Sequence, residues 1–283
     1  MPHLRNTLKR LSYCPEVLKP VQKLGLNSIL RRAYFHFARP ASGILPMEIG
    51  GIKARFYTQT PEELRILESA GGAGGEWHVL GRLIAFLEPG DVVYDIGANV
   101  GLYTVVLAKT VGDAGRVVAF EPDRWAFEHL QGNLTLNGIS NTACFRKAIG
   151  DRPGRGRLCS SRIIGGASLV EARGQGVEAQ IVDVAVGDEL AAEENLPIPR
   201  AVKIDVEGYE YSVIRGFSRT LAHPLCELVC CEVHPSMLPR EVQPATILEL
   251  FKSLGFARSE IYRRWDSTFH LLATRDQPTL STL

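Results

Sequence analysis

Two apolar runs, each ending in an acidic residue, constrain the fold of this chain more than any other feature. With the turns that follow them, they read Val92-Val93-Tyr94-Asp95-Ile96-Gly97-Ala98-Asn99-Val100-Gly101 and Val117-Val118-Ala119-Phe120-Glu121-Pro122. A helix-like segment over residues 101–110 separates the runs. Alternating strands and helices predict parallel pairing, and ligands bind outside the carboxyl ends of such strands.

The glycine-rich turn after the first run is suited to holding a nucleoside. Gly97 and Gly101 lack Cβ, so the chain can bend sharply and a ligand can lie against bare backbone. The helix that follows begins where its unpaired amide groups face the ligand. Glu121 ends the second strand, where a carboxylate can accept hydrogen bonds from both hydroxyls of a ribose.

The spacing of the turn separates two classes of ligand. The dinucleotide fingerprint G-x-G-x-x-G lets a pyrophosphate approach the helix closely. Here the pattern is D-x-G-x-N-x-G. A negative charge on its first residue repels a diphosphate and attracts an amino acid ammonium, which indicates the methionine end of S-adenosylmethionine. Pro122 is expected either to pack on the adenine ring or only to shape the turn that follows Glu121. The residues predicted to hold this cofactor are Asp95, Gly97, Asn99, Gly101, Glu121 and Pro122.

A second motif, Val202-Lys203-Ile204-Asp205-Val206-Glu207-Gly208-Tyr209-Glu210, is more specific than the turn. Together the two motifs resemble the FkbM-type family of S-adenosylmethionine-dependent methyltransferases, over roughly residues 90–275. The resemblance implies a class I methyltransferase fold and methylation of a hydroxyl oxygen. It also implies that Asp151, after the third strand, contacts the adenine amino group.

The fold class expected from these patterns is α/β. We predict a Rossmann-like, mostly parallel seven-stranded sheet with helices on both faces and a final antiparallel pair of strands near Ile261 and Phe269–Thr274. Residues 1–75 are predicted to be a basic helical extension with a short strand region, and residues 76–283 the methyltransferase domain. Glycines punctuate residues 150–199, which predicts a β-hairpin insertion there.

Four ionisable residues follow two of the predicted strands: Asp205 and Glu207, then Glu232 and His234. If these strands are neighbours, the four side chains converge where the methyl group points. Transfer to a hydroxyl needs a general base, and Asp205 or His234 fits that role, His having the better-matched unperturbed pKa. The alternative is a divalent cation such as Mg²⁺ held by Asp205, Glu232 and His234.

Three further residues in this region receive structural interpretations. Glu207 is expected to stabilise the N-terminus of the next helix, and Glu210 to be an ordinary acid of its first turn. Lys203, inside a strand, is expected to pair with an acid across the sheet. His270 shows no clustering typical of a ligand.

Composition limits the classes of partner. A net charge of +1 gives no field that recruits nucleic acid, and 45% hydrophobic residues are ordinary for a globular protein. The six cysteines form no C-x-x-C pair and are interpreted as reduced thiols of a cytoplasmic protein. No apolar run is long enough for a transmembrane helix.

Residues 1–40 are strongly basic, with Glu16 as their only acid. The segment is expected to lie on the catalytic domain as helices, and peripheral contact with an anionic membrane is the alternative. The basic residues are Arg5, Lys9, Arg10, Lys19, Lys23, Arg31, Arg32 and Arg39.

The sequence thus predicts a methyltransferase that uses S-adenosylmethionine, with Asp205, Glu232 and His234 as catalytic residues. The resemblance implies that it acts on a hydroxyl of a saccharide or small metabolite. Two alternatives are a nicotinamide-dependent oxidoreductase and a nucleoside-binding module without catalysis. Asn99 in place of a glycine, and the lack of a Tyr-x-x-x-Lys pair, disfavour the oxidoreductase.

Overall fold

The computed structural model describes residues 27–70, 76–160, 167–169, 179–263 and 267–275. The elements up to the first core strand are α1 (Asn27–Ala38), β1 (Ile44–Ile49), β2 (Ile52–Tyr57), α2 (Pro61–Ala70) and α3 (Glu76–Phe86). The first half of the core comprises β3 (Val92–Ile96), α4 (Leu102–Val111), β4 (Arg116–Phe120), α5 (Arg124–Leu136) and β5 (Thr142–Phe145).

An inserted region follows, with β6 (Ala148–Gly150), β7 (Gly154–Ser160), β8 (Ala167–Leu169), β9 (Ala179–Val186) and α6 (Gly187–Glu193). The chain then completes the core with β10 (Ala201–Ile204), α7 (Glu210–Gly216), α8 (Ser218–Ala222), β11 (Leu228–Val233), α9 (Pro244–Ser253), β12 (Arg258–Arg263) and β13 (Phe269–Thr274).

The main sheet has seven strands in the order β12-β13-β11-β10-β3-β4-β5. Strands β11, β10, β3, β4 and β5 pair in parallel, and β13 runs antiparallel to both β11 and β12. The predicted seven-stranded, mostly parallel sheet with a final antiparallel pair is therefore confirmed.

Helices cover both faces of this sheet because successive strand residues point to opposite sides. On β3, Val93 packs into one apolar cluster and Tyr94 into the other, and Val117 and Val118 divide in the same way on β4. Both clusters are almost fully buried. This two-sided burial explains why the strands read as continuous apolar runs rather than alternating ones.

The order of the strands reverses between β3 and β10. From β3 the chain builds outward through β4 and β5, and after the insertion it returns to the other side of β3 with β10 and β11. A crevice opens outside the carboxyl ends of the two strands at such a reversal, and ligands bind there. The turn after β3 and the acidic residues after β10 meet at this point.

The inserted region is larger than the predicted hairpin. Strands β6 to β9 form a separate four-stranded sheet in the order β6-β9-β7-β8. The chain leaves β5 of the main sheet at Phe145 and enters β6 of the small one at Ala148. Helix α7 joins the two sheets, because Gly216 lies so close to β6 that a Cβ there would be 2.1 Å from the carbonyl oxygen of Gly150.

The N-terminal elements are attached by specific polar contacts. The backbone amides of Arg55 and Tyr57, on β2, donate to the side chains of Asn137 and Asn133 at 3.0 and 2.9 Å. On α1, the fully buried Tyr34 donates its hydroxyl to Glu68 of α2. Residues 27–38 therefore pack against α2. Residues 1–26 lie outside the described residues, so the expectation that residues 1–40 lie on the catalytic domain, and the alternative of membrane contact, stay predictions.

Within the described ranges, none of the helices is both long and apolar enough to cross a membrane. The division into two domains at residue 75 stays a prediction.

Replacing Gly216 by Ala tests the joint between the sheets. The new Cβ would meet the backbone of Gly150, which cannot move as a side chain can, so we expect a loss of about 1–3 kcal/mol in the free energy of unfolding. Gly81→Ala is the matched control, because no atom lies within 4 Å of its Cβ position and Ala favours a helix interior by about 0.5–1 kcal/mol. Denaturant unfolding measures both, and equal stability of the two variants would contradict the proposed joint.

Candidate active site

The turn after β3 is held against the end of β10. Gly97 has a φ of 80°, and a Cβ at this position would lie 1.8 Å from the carbonyl oxygen of Asp205. No other residue type can occupy that space without moving one of the two strands. The backbone amide of Asp205 also donates a hydrogen bond to the carbonyl oxygen of Ile96 at 3.0 Å, which holds the two strand ends together. Gly97 is thus required by the packing of two strand ends, in addition to any role toward a ligand.

Asn99 and Glu121 are joined within the turn. Asn99 has a φ of 50°, and its backbone amide donates to Glu121 Oε2 at 2.7 Å. The other oxygen of Glu121 accepts from the amide of Asp123 at 2.8 Å. Burial raises the pKa of Glu121 to about 7, although both backbone hydrogen bonds oppose that rise. The carboxylate is therefore immobilised at the end of β4, where a ribose is expected.

Asp95 does not present a free charge to the crevice. Its side chain is completely buried, accepts a hydrogen bond from Thr104 Oγ1 at 2.6 Å, and lies 3.2 Å from Lys203 Nζ. The sequence suggested that the negative charge of Asp95 selects an ammonium over a diphosphate. This is corrected, because Lys203 compensates that charge inside the protein. A direct contact between Asp95 and the cofactor stays a prediction.

Lys203 pairs with acids across the sheet, as expected. Its ammonium donates to the carbonyl oxygen of Gly97 at 2.7 Å and lies 3.7 Å from Asp205 Oδ2. Burial alone would lower the pKa of Lys203, but Asp95 and Asp205 raise it above its ordinary value. Lys203 is therefore a permanent buried cation between the two halves of the site.

The remaining predicted cofactor residues lie around the same crevice. Gly101 immediately precedes α4 and donates its amide to the carbonyl of Ala98 at 2.9 Å. Pro122, half-buried, follows Glu121 on the path to α5. Asp151 follows β6, and its Oδ2 lies 3.5 Å from Arg215 Nε of α7. Contacts of Pro122 and Asp151 with an adenine stay predictions.

The structure brings the predicted acceptor residues together. Strands β10 and β11 are paired in parallel, so Asp205 and Glu207, which follow β10, lie beside the end of β11, which carries Glu232 and is followed by His234, as expected. His234 Nε2 lies 3.8 Å from Glu207 Oε2 and 3.8 Å from Glu232 Oε1. The side chains of Asp205 and Glu207 remain 31% and 25% exposed, against 8% for Glu232 and 10% for His234. Asp205 and Glu207 are thus the carboxylates that a substrate can reach.

Glu210 was underestimated as an ordinary acid of the first helical turn. It is completely buried, accepts from the amide of Gly208 at 2.9 Å, and its Oε1 lies 2.7 Å from His234 Nδ1. A signal for this was present in the sequence, because Glu210 shares a helical face with Val213, Ile214 and Phe217, all of which are buried.

The charge state of His234 differs from the one that the sequence suggested. Burial alone would lower its pKa, but the hydrogen bond to Glu210 and the charges of Asp205, Glu210 and Glu207 raise it to about 10. At neutral pH the ring is an imidazolium with no lone pair to accept a proton. The prediction that His234 is a well-matched general base is corrected for this reason.

The pKa values of the two partly exposed carboxylates, Asp205 and Glu207, are also raised, which favours their protonated forms. Burial and the negative charge of Asp205 raise the pKa of Glu207 to about 7, against the influence of His234. Burial and the charge of Glu232 raise the pKa of Asp205, against the influence of Lys203. The raised pKa of Glu207 thus lies near neutral pH, which is favourable for a general base.

Glu232 and His270 form a contact that sequence reasoning missed. The two residues are directly opposite each other on β11 and β13, and His270 Nε2 lies 3.3 Å from Glu232 Oε2. Glu232 is therefore placed between two imidazoles, His234 on one side and His270 on the other. The contact depends on the register of an antiparallel pair formed late in the chain, for which the local sequence holds no signal.

The arrangement differs from the predicted set of metal ligands. Ligand atoms of Asp205, Glu207 and His234 all lie within 4.8 Å of one another, and Glu232 is not part of this group. Glu207 takes the place that the sequence assigned to Glu232. Its φ of 52° is uncommon for a residue other than glycine, and strained backbone of this kind is frequent at functional sites.

The chain is similar in sequence to known methyltransferases. A sequence profile described as "Methyltransferase FkbM domain" matches residues 95–257. The hexuronic acid methyltransferase AglP of Haloferax volcanii is 29% identical over 197 residues, which cover 69% of this chain and 76% of that protein.

Solved structures with a similar course of the chain include two methyltransferases. Precorrin-6y C5,15-methyltransferase from Geobacter metallireducens has a TM-score of 0.45 and 14% identity, over 71% of this chain and 89% of that one. An rRNA methylase from Streptococcus thermophilus has a TM-score of 0.44 and 14% identity, over 71% of this chain and 95% of that one.

The family match spans the turn after β3, Glu121, Asp151 and the whole acidic cluster. It excludes the nicotinamide-dependent alternative, because the turn that was compared with the dinucleotide fingerprint belongs to a methyltransferase domain. The chain is a member of the FkbM methyltransferase family, an S-adenosylmethionine-dependent methyltransferase with a Rossmann-like class I fold.

Proposed function

We propose that this methyltransferase transfers the methyl group of S-adenosylmethionine to a hydroxyl oxygen of a saccharide. The observation that carries the proposal is the Asp205–Glu207 pair, two partly exposed carboxylates beside the crevice at which β3 and β10 meet. The sulfonium of the cofactor is already an excellent leaving group, so the protein has to position the acceptor oxygen and remove its proton. The relative from Haloferax volcanii, named for hexuronic acid, supports a sugar as the acceptor.

The cofactor lies in this proposal across the turn after β3. Glu121 accepts hydrogen bonds from both ribose hydroxyls, in addition to those that it already accepts from two backbone amides. A carboxylate offers about four lone-pair sites, which is enough for all of them. Gly97, Asn99 and Gly101 shape the turn, and Pro122 and Asp151 contact the adenine. Asp95 supports the turn through Lys203 rather than through a free charge.

The Asp205–Glu207 pair takes the proton of the acceptor hydroxyl. Glu232 and the imidazolium of His234 lie behind the pair, and Glu210 holds His234 in place. As the acceptor proton arrives, the positive charge of His234 stabilises the carboxylate that has not been protonated. His234 therefore acts electrostatically, and we assign the general base to the two exposed carboxylates.

The charge of the site favours a neutral hydroxyl over a carboxylate as the acceptor. Asp205 and Glu207 are partly exposed, whereas the cations that contact the acidic cluster, Lys203 and His234, are almost fully buried. A sugar carboxylate placed between Asp205 and Glu207 would be repelled by both. A hydroxyl would instead donate its proton to either of them.

A divalent cation at Asp205, Glu207 and His234 is the second candidate for lowering the acceptor pKa. It is favoured by the 4.8 Å grouping of their ligand atoms and by the hydrogen bond from His234 Nδ1 to Glu210, since ligating histidines usually bond a carboxylate through their other nitrogen. Mg²⁺ and Mn²⁺ suit such carboxylate-rich sites. The cation would have to displace the proton from Nε2 of His234.

Replacing Glu121 by Gln tests the ribose contact. The ribose hydroxyls donate to the ionised carboxylate, so the affinity for S-adenosylhomocysteine should rise by up to about tenfold as the pH increases through 7. The Gln variant should bind about 10- to 100-fold more weakly, without this pH dependence. Calorimetry at pH 6 and pH 8 measures both, with the exposed Glu128→Gln as control. The same pH dependence in E121Q would contradict the assignment.

The pH profile of methyl transfer tests the general base. With S-adenosylmethionine saturating, kcat/KM for the acceptor should rise with pH to a plateau, with an apparent pKa near 7 that belongs to the coupled pair. Glu207→Gln should remove this limb and reduce the rate by about 10²–10⁴. Asp205→Asn should shift the limb to lower pH, because the charge of Asp205 raises the pKa of Glu207.

The control for the profile is the exposed Glu249→Gln on α9. An unchanged limb in E207Q would show that another group accepts the proton. Wild-type turnover in both active-site variants would remove the pair from catalysis altogether.

Removal of metal separates the two ways of activating the acceptor. Because the imidazolium of His234 already supplies positive charge, we expect dialysis against EDTA to leave turnover within about twofold of its starting value. A loss that Mg²⁺ or Mn²⁺ restores would establish the divalent cation instead. The turnover of His234→Gln, before and after dialysis against EDTA, is compared with that of the wild type.

A further inference from the structure

We propose that Lys203 is a positioning residue that holds the cofactor turn and the acceptor carboxylate Asp205 in one fixed geometry. This inference deepens the proposed function and rests on it for the role of Asp205. Its physical basis is one ammonium group that donates a hydrogen bond to the Gly97 carbonyl oxygen at 2.7 Å and forms ion pairs with two carboxylates, Asp95 Oδ1 at 3.2 Å and Asp205 Oδ2 at 3.7 Å.

The sheet determines where this ammonium lies. On β10, Val202 and Ile204 point into one apolar cluster, and Lys203 projects to the opposite face, directly beside its register partner Asp95 on β3. On that face its Nζ lies 5.1 Å from the centre of the Tyr103 ring, on α4. Only 6% of the side chain is exposed. The cation is therefore confined at the reversal of strand order and cannot reorient toward solvent.

Two of the three contacts lie on groups that are expected to touch the reactants. The carbonyl of Gly97 belongs to the turn that carries the cofactor, and Asp205 is one of the two carboxylates that an acceptor can reach. The donor methyl carbon and the acceptor oxygen must meet in line at about 3–3.5 Å. A single cation that is hydrogen-bonded to one side and ion-paired with the other would therefore set the separation of the two binding sites.

A merely structural role for Lys203 would have a different signature. Asp95 is completely buried, and an unpaired buried charge is strongly destabilising, so Lys203→Met alone could unfold the chain for that reason only. The double variant D95N/K203M removes both charges together. The side-chain amide that Asp95→Asn introduces can still accept from Thr104, which preserves the other contact of that position.

The experiment therefore uses D95N/K203M, with Lys203→Met and Asp95→Asn for comparison, since Asp95→Asn shows how much of any loss comes from Asp95 itself, and with the exposed Lys109→Met of α4 as control. We expect the thermal midpoint of the double variant to lie above that of Lys203→Met, because no unpaired charge remains at position 95. Its affinity for S-adenosylhomocysteine should nevertheless be about tenfold weaker, and its kcat about 100-fold lower, because Gly97 and Asp205 are no longer held together. The control should match the wild type in both.

Wild-type affinity and wild-type kcat in a folded D95N/K203M would overturn the proposal, since Lys203 would then only compensate Asp95. Affinity for S-adenosylhomocysteine does not depend on the acceptor. If the wild type binds it but methylates no saccharide, the proposed acceptor is wrong, and the binding measurement on the double variant still decides the role of Lys203.

Discussion

The close approach of two strand ends governs the rest of this structure. Gly97, after β3, touches the backbone of Asp205, after β10, and the amide of Asp205 donates to Ile96. The order of strands reverses between β3 and β10, so the contact closes the base of the crevice in which a ligand of this fold binds. Cofactor turn and acceptor carboxylates are neighbours because these two backbones meet.

An excess of carboxylates over cations gives the site its chemistry. Asp205, Glu207, Glu210 and Glu232 surround His234, and burial makes each negative charge expensive unless it is paired or protonated. For this reason the pKa of Glu207 is raised to about 7 and that of His234 to about 10. A carboxylate that titrates near neutrality beside a fixed imidazolium is a combination suited to taking a proton from a hydroxyl.

The parts of the fold that were predicted correctly rest on local signals. The strand–turn–helix–strand unit around Asp95 and Glu121, the pairing of Lys203 with an acid, and the adjacency of the strands that carry Asp205 and Glu232 are all confirmed. The errors concern residues whose partners are distant in sequence. Glu210 was interpreted as an ordinary acid of the first helical turn, His270 as a residue outside any cluster, and the charge of Asp95 as available to a ligand.

The sequence by itself determined the parallel framework, the glycine turn and the placement of ionisable residues at strand ends, because the periodicity and residue types that specify them are local. Only the tertiary structure decided which of those residues carry charge and which face a substrate. Protonation depends on burial and on charges brought together from β3, β10, α7, β11 and β13. A local stretch of sequence does not show which charges the fold brings together.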